Sequence, residues 1–150
     1  MNYVTDTHSL IWYFTEDSRL SKRALRVFEQ TVKEGIIIVP AVVLAEIMFI
    51  AKKAKVSITF EETLEKIEEY ENFYIAPLDI DILKVADKIE AGMEMHDKLI
   101  IATALYFEAV LITRDRQIKE SKIVSTIWKY TNHAYQFLTS ISSTFNLTPS

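Results

Sequence analysis

The stretch IIIVPAVVLAEIMFIA, residues 36–51, decides the fold. Its first four residues are apolar and β-branched, which predicts a buried strand that ends at Pro40. The residues that follow, from Ala41 to about Lys53, predict a helix. A buried strand that leads directly into a helix is typical of the units from which parallel sheets are built.

The rest of the chain continues this alternation of short apolar strands and helices. After Ser18, apolar residues recur at helical spacing up to Gly35, which we interpret as a C′ glycine that stops the helix. Thr59 and Glu62 fit a capping box that starts another helix. Further helices are expected over residues 80–86 and 97–108, and strands over residues 3–5, 73–76, 110–113 and 123–124. We therefore predict an α/β fold with a central, mainly parallel sheet flanked by helices.

The composition indicates one domain that does not enter a membrane. A length of 150 residues suits a single domain. No stretch approaches the roughly 18 consecutive apolar residues of a membrane span, and the N-terminus lacks the basic region of a signal peptide. The absence of cysteine excludes disulfides and thiolate metal sites. We expect a cytoplasmic protein with no membrane partner.

The net charge of −4 at first disfavours a nucleic-acid partner, because such proteins usually carry a basic face. This objection weakens if several acids cluster at a metal site, since bound cations offset their charge. The basic residues that lie near the candidate acids in sequence could contact phosphate, although for any one of them an ordinary solvated surface is the better explanation: Lys52, Lys53, Lys98, Arg114 and Arg116.

Glu46 is the most informative single residue, because it is the only charged side chain between Ala41 and Ala51. An ionised carboxylate on an apolar helix is costly unless it is paired or bound to a metal ion. It could therefore be a metal ligand. It could also lie at the edge of the helix, where it would reach water or pair with Lys53.

Three aspartates occupy positions from which they could join Glu46. Asp6 and Asp115 directly follow predicted strands, and ligands of open α/β sheets gather beyond the carboxyl ends of the strands. Asp97 opens a predicted helix. Each also has an ordinary explanation, since Asp6 and Asp97 suit helix N-caps and Asp115 lies between two arginines in a loop. Together the four acids match the hard oxygen ligands that Mg²⁺ and Mn²⁺ prefer, and such ions hydrolyse phosphodiesters.

Five blocks of the sequence, in order through residues 1–128, resemble PIN-domain toxins of the VapC type. The first and second are Asp6-Thr7-His8-Ser9-Leu10-Ile11-Trp12 and Leu44-Ala45-Glu46-Ile47 with Lys52-Lys53. The third is His96-Asp97-Lys98-Leu99-Ile100-Ile101-Ala102-Thr103-Ala104. The fourth and fifth are Leu111-Ile112-Thr113-Arg114-Asp115-Arg116 and Ser125-Thr126-Ile127-Trp128.

This resemblance implies a PIN-like three-layer fold and an endoribonuclease that depends on Mg²⁺ or Mn²⁺. It assigns the metal ligands to Asp6, Glu46, Asp97 and Asp115, and it implies that Thr113 orients Asp115 or a bound water. It further implies a toxin restrained by a protein antitoxin, RNA as substrate, and a homodimer. Two alternatives remain open: a PIN nuclease of RNA processing, or a catalytically silent binding module that holds a cation.

Two histidines and a tryptophan lie near these acids in sequence. We expect His8 to be structural and Trp12 to belong to the core, whereas His96 could contact substrate. Residues 1–130 are expected to form the PIN domain. Residues 131–150 depart from the resemblance, and their apolar residues at helical spacing predict a short helix followed by a disordered end.

Overall fold

The computed structural model describes residues 1–90 and 92–129 of the 150. The predicted C-terminal extension, residues 131–150, lies outside the described residues. The strands are β1 (Asn2–Thr5), β2 (Ile36–Pro40), β3 (Phe73–Ala76), β4 (Val110–Ile112) and β5 (Thr126–Ile127). The helices are α1 (Thr7–Phe14), α2 (Lys22–Glu34), α3 (Ala41–Lys52), α4 (Phe60–Glu69), α5 (Ile80–Asp87), α6 (Met95–Tyr106) and α7 (Arg116–Ser121).

The strands form one sheet in the order β3-β2-β1-β4-β5, and every neighbouring pair is parallel. Ile37, Ile38 and Val39 of β2 are each at most 2% exposed. Successive side chains of a strand point to opposite faces, so both faces of this interior strand are covered. The predicted three-layer α/β fold is therefore confirmed, with the carboxyl ends of all strands at one edge of the sheet.

Local signals start several helices where the sequence predicts them. The capping box of α4 is present, since Thr59 Oγ1 accepts from the backbone N–H of Glu62 and the Glu62 carboxylate accepts from that of Thr59. Ser21 caps α2 by accepting from the backbone N–H of Ala24 at 3.0 Å. No helix in the described part of the chain is long and apolar enough to cross a membrane.

Gly35 ends α2 as predicted, but for a different reason from a left-handed C′ glycine. Its backbone is extended, with φ −141°. Strand β1 runs alongside β2 in a register that pairs Asn2 with Ile36. The main chain of Met1 therefore lies so close to Gly35 that a Cβ atom would overlap the Met1 carbonyl oxygen. Glycine is needed here for close approach of two backbones.

Three local predictions were wrong. The last strand is Thr126–Ile127 and not residues 123–124. Helix α7 follows Asp115, where we expected a loop. Helix α6 is preceded by Glu94, so Asp97 lies inside its first turn and does not occupy the N-cap.

Candidate active site

All five predicted site residues line one cleft of about 580 Å³ at the carboxyl ends of β1 and β4. Asp6 follows β1, Thr113 and Asp115 follow β4, Glu46 lies in the middle of α3, and Asp97 lies in the first turn of α6. Four separate parts of the chain thus bring their acids to the same edge of the sheet. This is the edge at which parallel sheets bind their ligands.

Asp6 is both the N-cap of α1 and a wall of the cleft. Its Oδ1 accepts from the backbone N–H of Ser9 at 2.9 Å, which orients the carboxylate. Burial raises the pKa of Asp6, and the hydroxyls of Ser9 and Thr113 oppose this effect only in part. A carboxylate that is costly to ionise in its surroundings gains from a nearby cation.

Glu46 is held by a residue that the sequence did not single out. Thr7, which is buried, donates its hydroxyl to Glu46 Oε1 at 2.8 Å. The alternative pairing with Lys53 is not observed among the described residues, because Lys53 Nζ lies 4.1 Å from the centre of the Phe49 ring. Helix α3 is also less buried than its apolar sequence indicates, since Phe49 is 61% exposed, and the Glu46 side chain is 26% exposed at the cleft.

Asp115 caps α7 through a short network that includes Thr113. Asp115 Oδ1 accepts from the backbone N–H of Ile118 at 3.0 Å, and Thr113 Oγ1 accepts from the backbone N–H of Asp115 at 3.1 Å. Thr113 is 3% exposed, so its hydroxyl is fixed by packing. The same hydroxyl interacts with the Asp6 carboxyl, so Thr113 contacts both Asp6 and the backbone of Asp115, and its orienting role stays a prediction.

Asp97 lies among other acids. Partial burial raises the pKa of Asp97, and the negative charges of Asp115, Glu46 and Glu94 raise it further, whereas His96 lowers it. The His96 ring lies within 3.4 Å of carboxylate oxygens of Asp97 and Glu94 and 4.0 Å from Glu46 Oε2. His96 therefore belongs to the cleft, and Glu94 is a fifth acid that sequence reasoning missed.

This arrangement fits a hard divalent cation in its chemistry. The donors are carboxylate oxygens, and their mutual repulsion at Asp97 is the condition that a bound cation relieves. Asp6, Glu46 and Asp115 each have one oxygen engaged by a hydrogen bond within the chain. Among residues 1–90 and 92–129, no three His, Asp or Glu side chains are placed to hold an ion together. One or two carboxylates with several waters are, however, the usual coordination of Mg²⁺.

Two arginines and a tryptophan also line the cleft. Trp12 is 4% exposed, which confirms its predicted place in the core, but it also lines the cleft. The guanidinium carbons of Arg114 and Arg19 lie 4.8 and 5.1 Å from the centre of its rings. Asp17 holds Arg19 at 2.7 Å. Of the five basic residues considered from the sequence, only Arg114 lines this cleft, and Arg19 was missed.

Comparison with solved structures shows the same fold in several toxin–antitoxin proteins. The chain is similar to VapBC2 from Rickettsia felis, solved with a promoter DNA fragment (17% identity, 86% of this chain and 100% of that chain, TM-score 0.66). It is also similar to a chain of a toxin–antitoxin complex from Klebsiella pneumoniae (21% identity, 85% of this chain and 98% of that chain, TM-score 0.61). A third is VapC20 from Mycobacterium tuberculosis, described as a toxin that cleaves the sarcin–ricin loop (12% identity, 86% of this chain and 100% of that chain, TM-score 0.60). No curated protein matches the chain.

The family model of the PIN domain matches residues 3–123, which include all four predicted acids and Thr113. The described part of the chain is thus a parallel five-stranded sheet with acids gathered at its carboxyl edge. The chain belongs to the PIN domain family, as the sequence blocks predicted.

Proposed function

We propose that this protein is a metal-dependent endoribonuclease and the toxin of a toxin–antitoxin pair. The observation that carries the proposal is the convergence of Asp6, Glu46, Asp97 and Asp115, from four parts of the chain, in one cleft. Acids brought together in this way repel one another, and such an arrangement is expected where a cation is bound. We assign these four acids as the residues that hold the metal ion, directly or through bound water, with Mg²⁺ or Mn²⁺ as the ion.

Residues of this chain would hold the acids of the proposed reaction in place. When bound, Mg²⁺ or Mn²⁺ supplies the positive charge that activates water and stabilises charge on the phosphodiester. Thr7 and the backbone N–H groups of Ser9 and Ile118 hold the acids in fixed orientations. Thr113 positions Asp6 relative to Asp115. Preorganisation of this kind lowers the barrier, because the groups do not reorganise during the reaction.

RNA as substrate and a protein antitoxin as partner are supported by the similar structures. Several of them are toxin–antitoxin complexes, and VapC20 is described as cleaving the sarcin–ricin loop. We propose the same kinds of substrate and partner here, together with a homodimer and a cytoplasmic location. A PIN nuclease of RNA processing would have the same cleft without an antitoxin, and a silent module would bind the ion without cutting RNA.

Replacement of Asp6 or Asp97 by asparagine tests the proposal. Asparagine caps helices as well as aspartate does, so Asp6→Asn removes a charged ligand while the N-cap of α1 remains. Loss of residues that merely support metal ligands already costs about 10- to 100-fold, so we expect each variant to cut RNA more than about 100-fold slower than wild type in Mn²⁺. Wild type in EDTA should be inactive.

Asp81→Asn is the matched control. Asp81 lies in the first turn of α5, as Asp97 lies in the first turn of α6, but Asp81 is exposed and does not line the cleft. It should cut RNA at the wild-type rate. If Asp6→Asn and Asp97→Asn also cut at that rate, after contaminating nuclease is excluded, the site assignment is wrong. Binding of Mn²⁺ without cleavage of any RNA would favour the silent module.

A further inference from the structure

A second cleft adjoins the acidic one and has the opposite charge. Its volume is about 650 Å³, and it shares Thr113 and Arg114 with the first cleft. Arg116 and Lys119 of α7, with Trp128 and Lys129 after β5, form the rest of its basic and aromatic lining. We name it the basic cleft. Because Arg114 lines both clefts, a bound chain can pass from one into the other across this side chain.

The charge of the basic cleft favours a polyanion. Its lining contains four cationic side chains and one carboxylate, that of Glu120. Arg116 Nε is 3.9 Å from Glu120 Oε1, and the two side chains are 89% and 71% exposed, so water screens this contact and Arg116 stays available. In a chain with a net charge of −4, a cleft with this excess of positive charge beside a cluster of acids is a marked separation of charge.

The basic cleft is held in place by contacts with the body of the domain. Ser21 donates its hydroxyl to the carbonyl oxygen of Trp128, and Arg23 Nη1 donates to that of Lys129 at 2.8 Å. The Trp128 ring lies 6.0 Å from that of Trp12. Arg114 stacks over Trp12, and within the described part of the chain no carboxylate holds its guanidinium. An arginine placed by a ring keeps its N–H donors free for a ligand.

We propose that the basic cleft binds the sugar–phosphate backbone of the single-stranded RNA next to the bond that is cut, with Arg114 contacting the phosphate at the boundary. The proposal rests on the proposed nuclease function and extends it to the path of the substrate. A positively charged groove with an aromatic side chain is the usual combination for single-stranded nucleic acid, and Trp128 is only half-buried. Arginine also suits phosphate through its fork of donors.

Binding of RNA in EDTA, which removes the metal ion that cleavage requires, tests this proposal separately from catalysis. The probe is a short, fully 2′-O-methylated, fluorescein-labelled single strand, measured by fluorescence anisotropy with the full chain over a range of salt concentrations. Each phosphate contact on a single strand contributes about 0.7 to the slope of log affinity against log salt. Arg114→Gln and Lys119→Gln should each reduce that slope by about 0.7 and weaken binding about fivefold near 0.1 M salt.

Lys33→Gln is the control for the loss of one positive charge. Lys33 is exposed near the end of α2, at the edge of the sheet opposite the clefts, so this variant should bind the strand as wild type does. The proposal is overturned if Arg114→Gln and Lys119→Gln bind like the control. It is also overturned if they keep their affinity for RNA and lose affinity only for polyglutamate, which would assign the cleft to an acidic protein segment. If wild type does not cut RNA in Mn²⁺ but the two variants still lose affinity, the binding cleft stands and the nuclease function fails.

Discussion

At the scale of single residues, the acids of the cleft depend on small neighbours that fix their orientation. Thr7 is 3% exposed and donates to Glu46 across a separation of 39 residues in sequence. Ser9 and Ile118 donate their backbone N–H groups to Asp6 and Asp115. For Asp6, the ordinary explanation as an N-cap and the proposed explanation as a metal ligand are therefore compatible with one geometry, since the cap engages one carboxylate oxygen. Asp115, which was expected in a loop, also caps a helix through one oxygen only.

Thr7→Val should disturb the site through Glu46 without changing the volume of the side chain. A hydrogen bond to a charged group contributes about 1.5–3 kcal/mol, but Glu46 is 26% exposed and can recover water, so we expect a loss of stability of about 1 kcal/mol. RNA cleavage by Thr7→Val should be slower than by wild type. Thr7→Ser keeps the hydroxyl and should be more stable and cut RNA faster than Thr7→Val. Urea denaturation measures the stability. A double-mutant cycle with Glu46→Ala should show that the two residues are coupled, and independent effects would remove Thr7 from this role.

At the scale of secondary-structure elements, the sequence predicts those that have strong patterns. Strand β2, the α4 capping box and the helical spacing in α2 were all identified correctly. Helix α7 has six residues and one buried residue, Ile118, so it has no periodicity to detect. Strand β5 has two residues and exists because Leu111 and Ile112 of β4 offer it free backbone partners. Such short elements are determined by tertiary contacts.

Gly35→Ala tests the close approach of β1 to the start of β2. The added methyl would overlap the Met1 carbonyl oxygen, and strand pairing limits how far that backbone can move. Overpacking of this kind costs about 1–3 kcal/mol, and each kcal/mol corresponds to about 2–4 °C in Tm for a domain of this size. Gly92→Ala is the control, because no atom of the described residues lies within 4 Å of its added methyl. Equal melting temperatures for the two variants would show that β1 can move away from Gly35 without loss of stability.

At the scale of the whole molecule, the four acids and Arg114 that line the cleft could be picked out from the sequence, but Arg19 could not. Asp6 and Asp115 follow strands and Asp97 lies in the first turn of a helix, so the topology of a parallel sheet brings them to one edge, whereas Glu46 is marked by being the only charge on an apolar helix. Arg19 precedes α2 in a connection without any pattern, and it reaches the cleft only because Trp12 and Asp17 hold it there. Which cations face a site depends on packing between distant elements, and no local spacing encodes it.

The clustering of acids should appear as a dependence of stability on pH. Asp6 and Asp97 have pKa values raised above 3.8 in the native state, so in EDTA this state binds more protons than the unfolded chain. Their contribution to stability is present below about pH 3.8 and is lost as the pH rises through the raised values. Asp97→Asn removes one of these groups and relieves the repulsion with Asp115, Glu46 and Glu94. In EDTA it should melt higher than wild type at pH 7, and this difference should shrink as the pH falls towards 4.

Addition of Mn²⁺ should raise the melting temperature of wild type above that of Asp97→Asn. An ion that binds only the native state stabilises it by about 2.7 kcal/mol at a concentration of 100 Kd, which for wild type corresponds to about 5–11 °C in Tm. Asp97→Asn has lost a proposed ligand and should gain less. Asp97 also lies in the first turn of α6, where a negative charge favours the helix by about 0.3–1 kcal/mol, and Asp81→Asn in the first turn of α5 measures that contribution alone. If Asp97→Asn melts no higher than Asp81→Asn in EDTA at pH 7, the acids of the cleft do not repel Asp97. If Mn²⁺ also raises its melting temperature as much as that of wild type, Asp97 does not bind the ion.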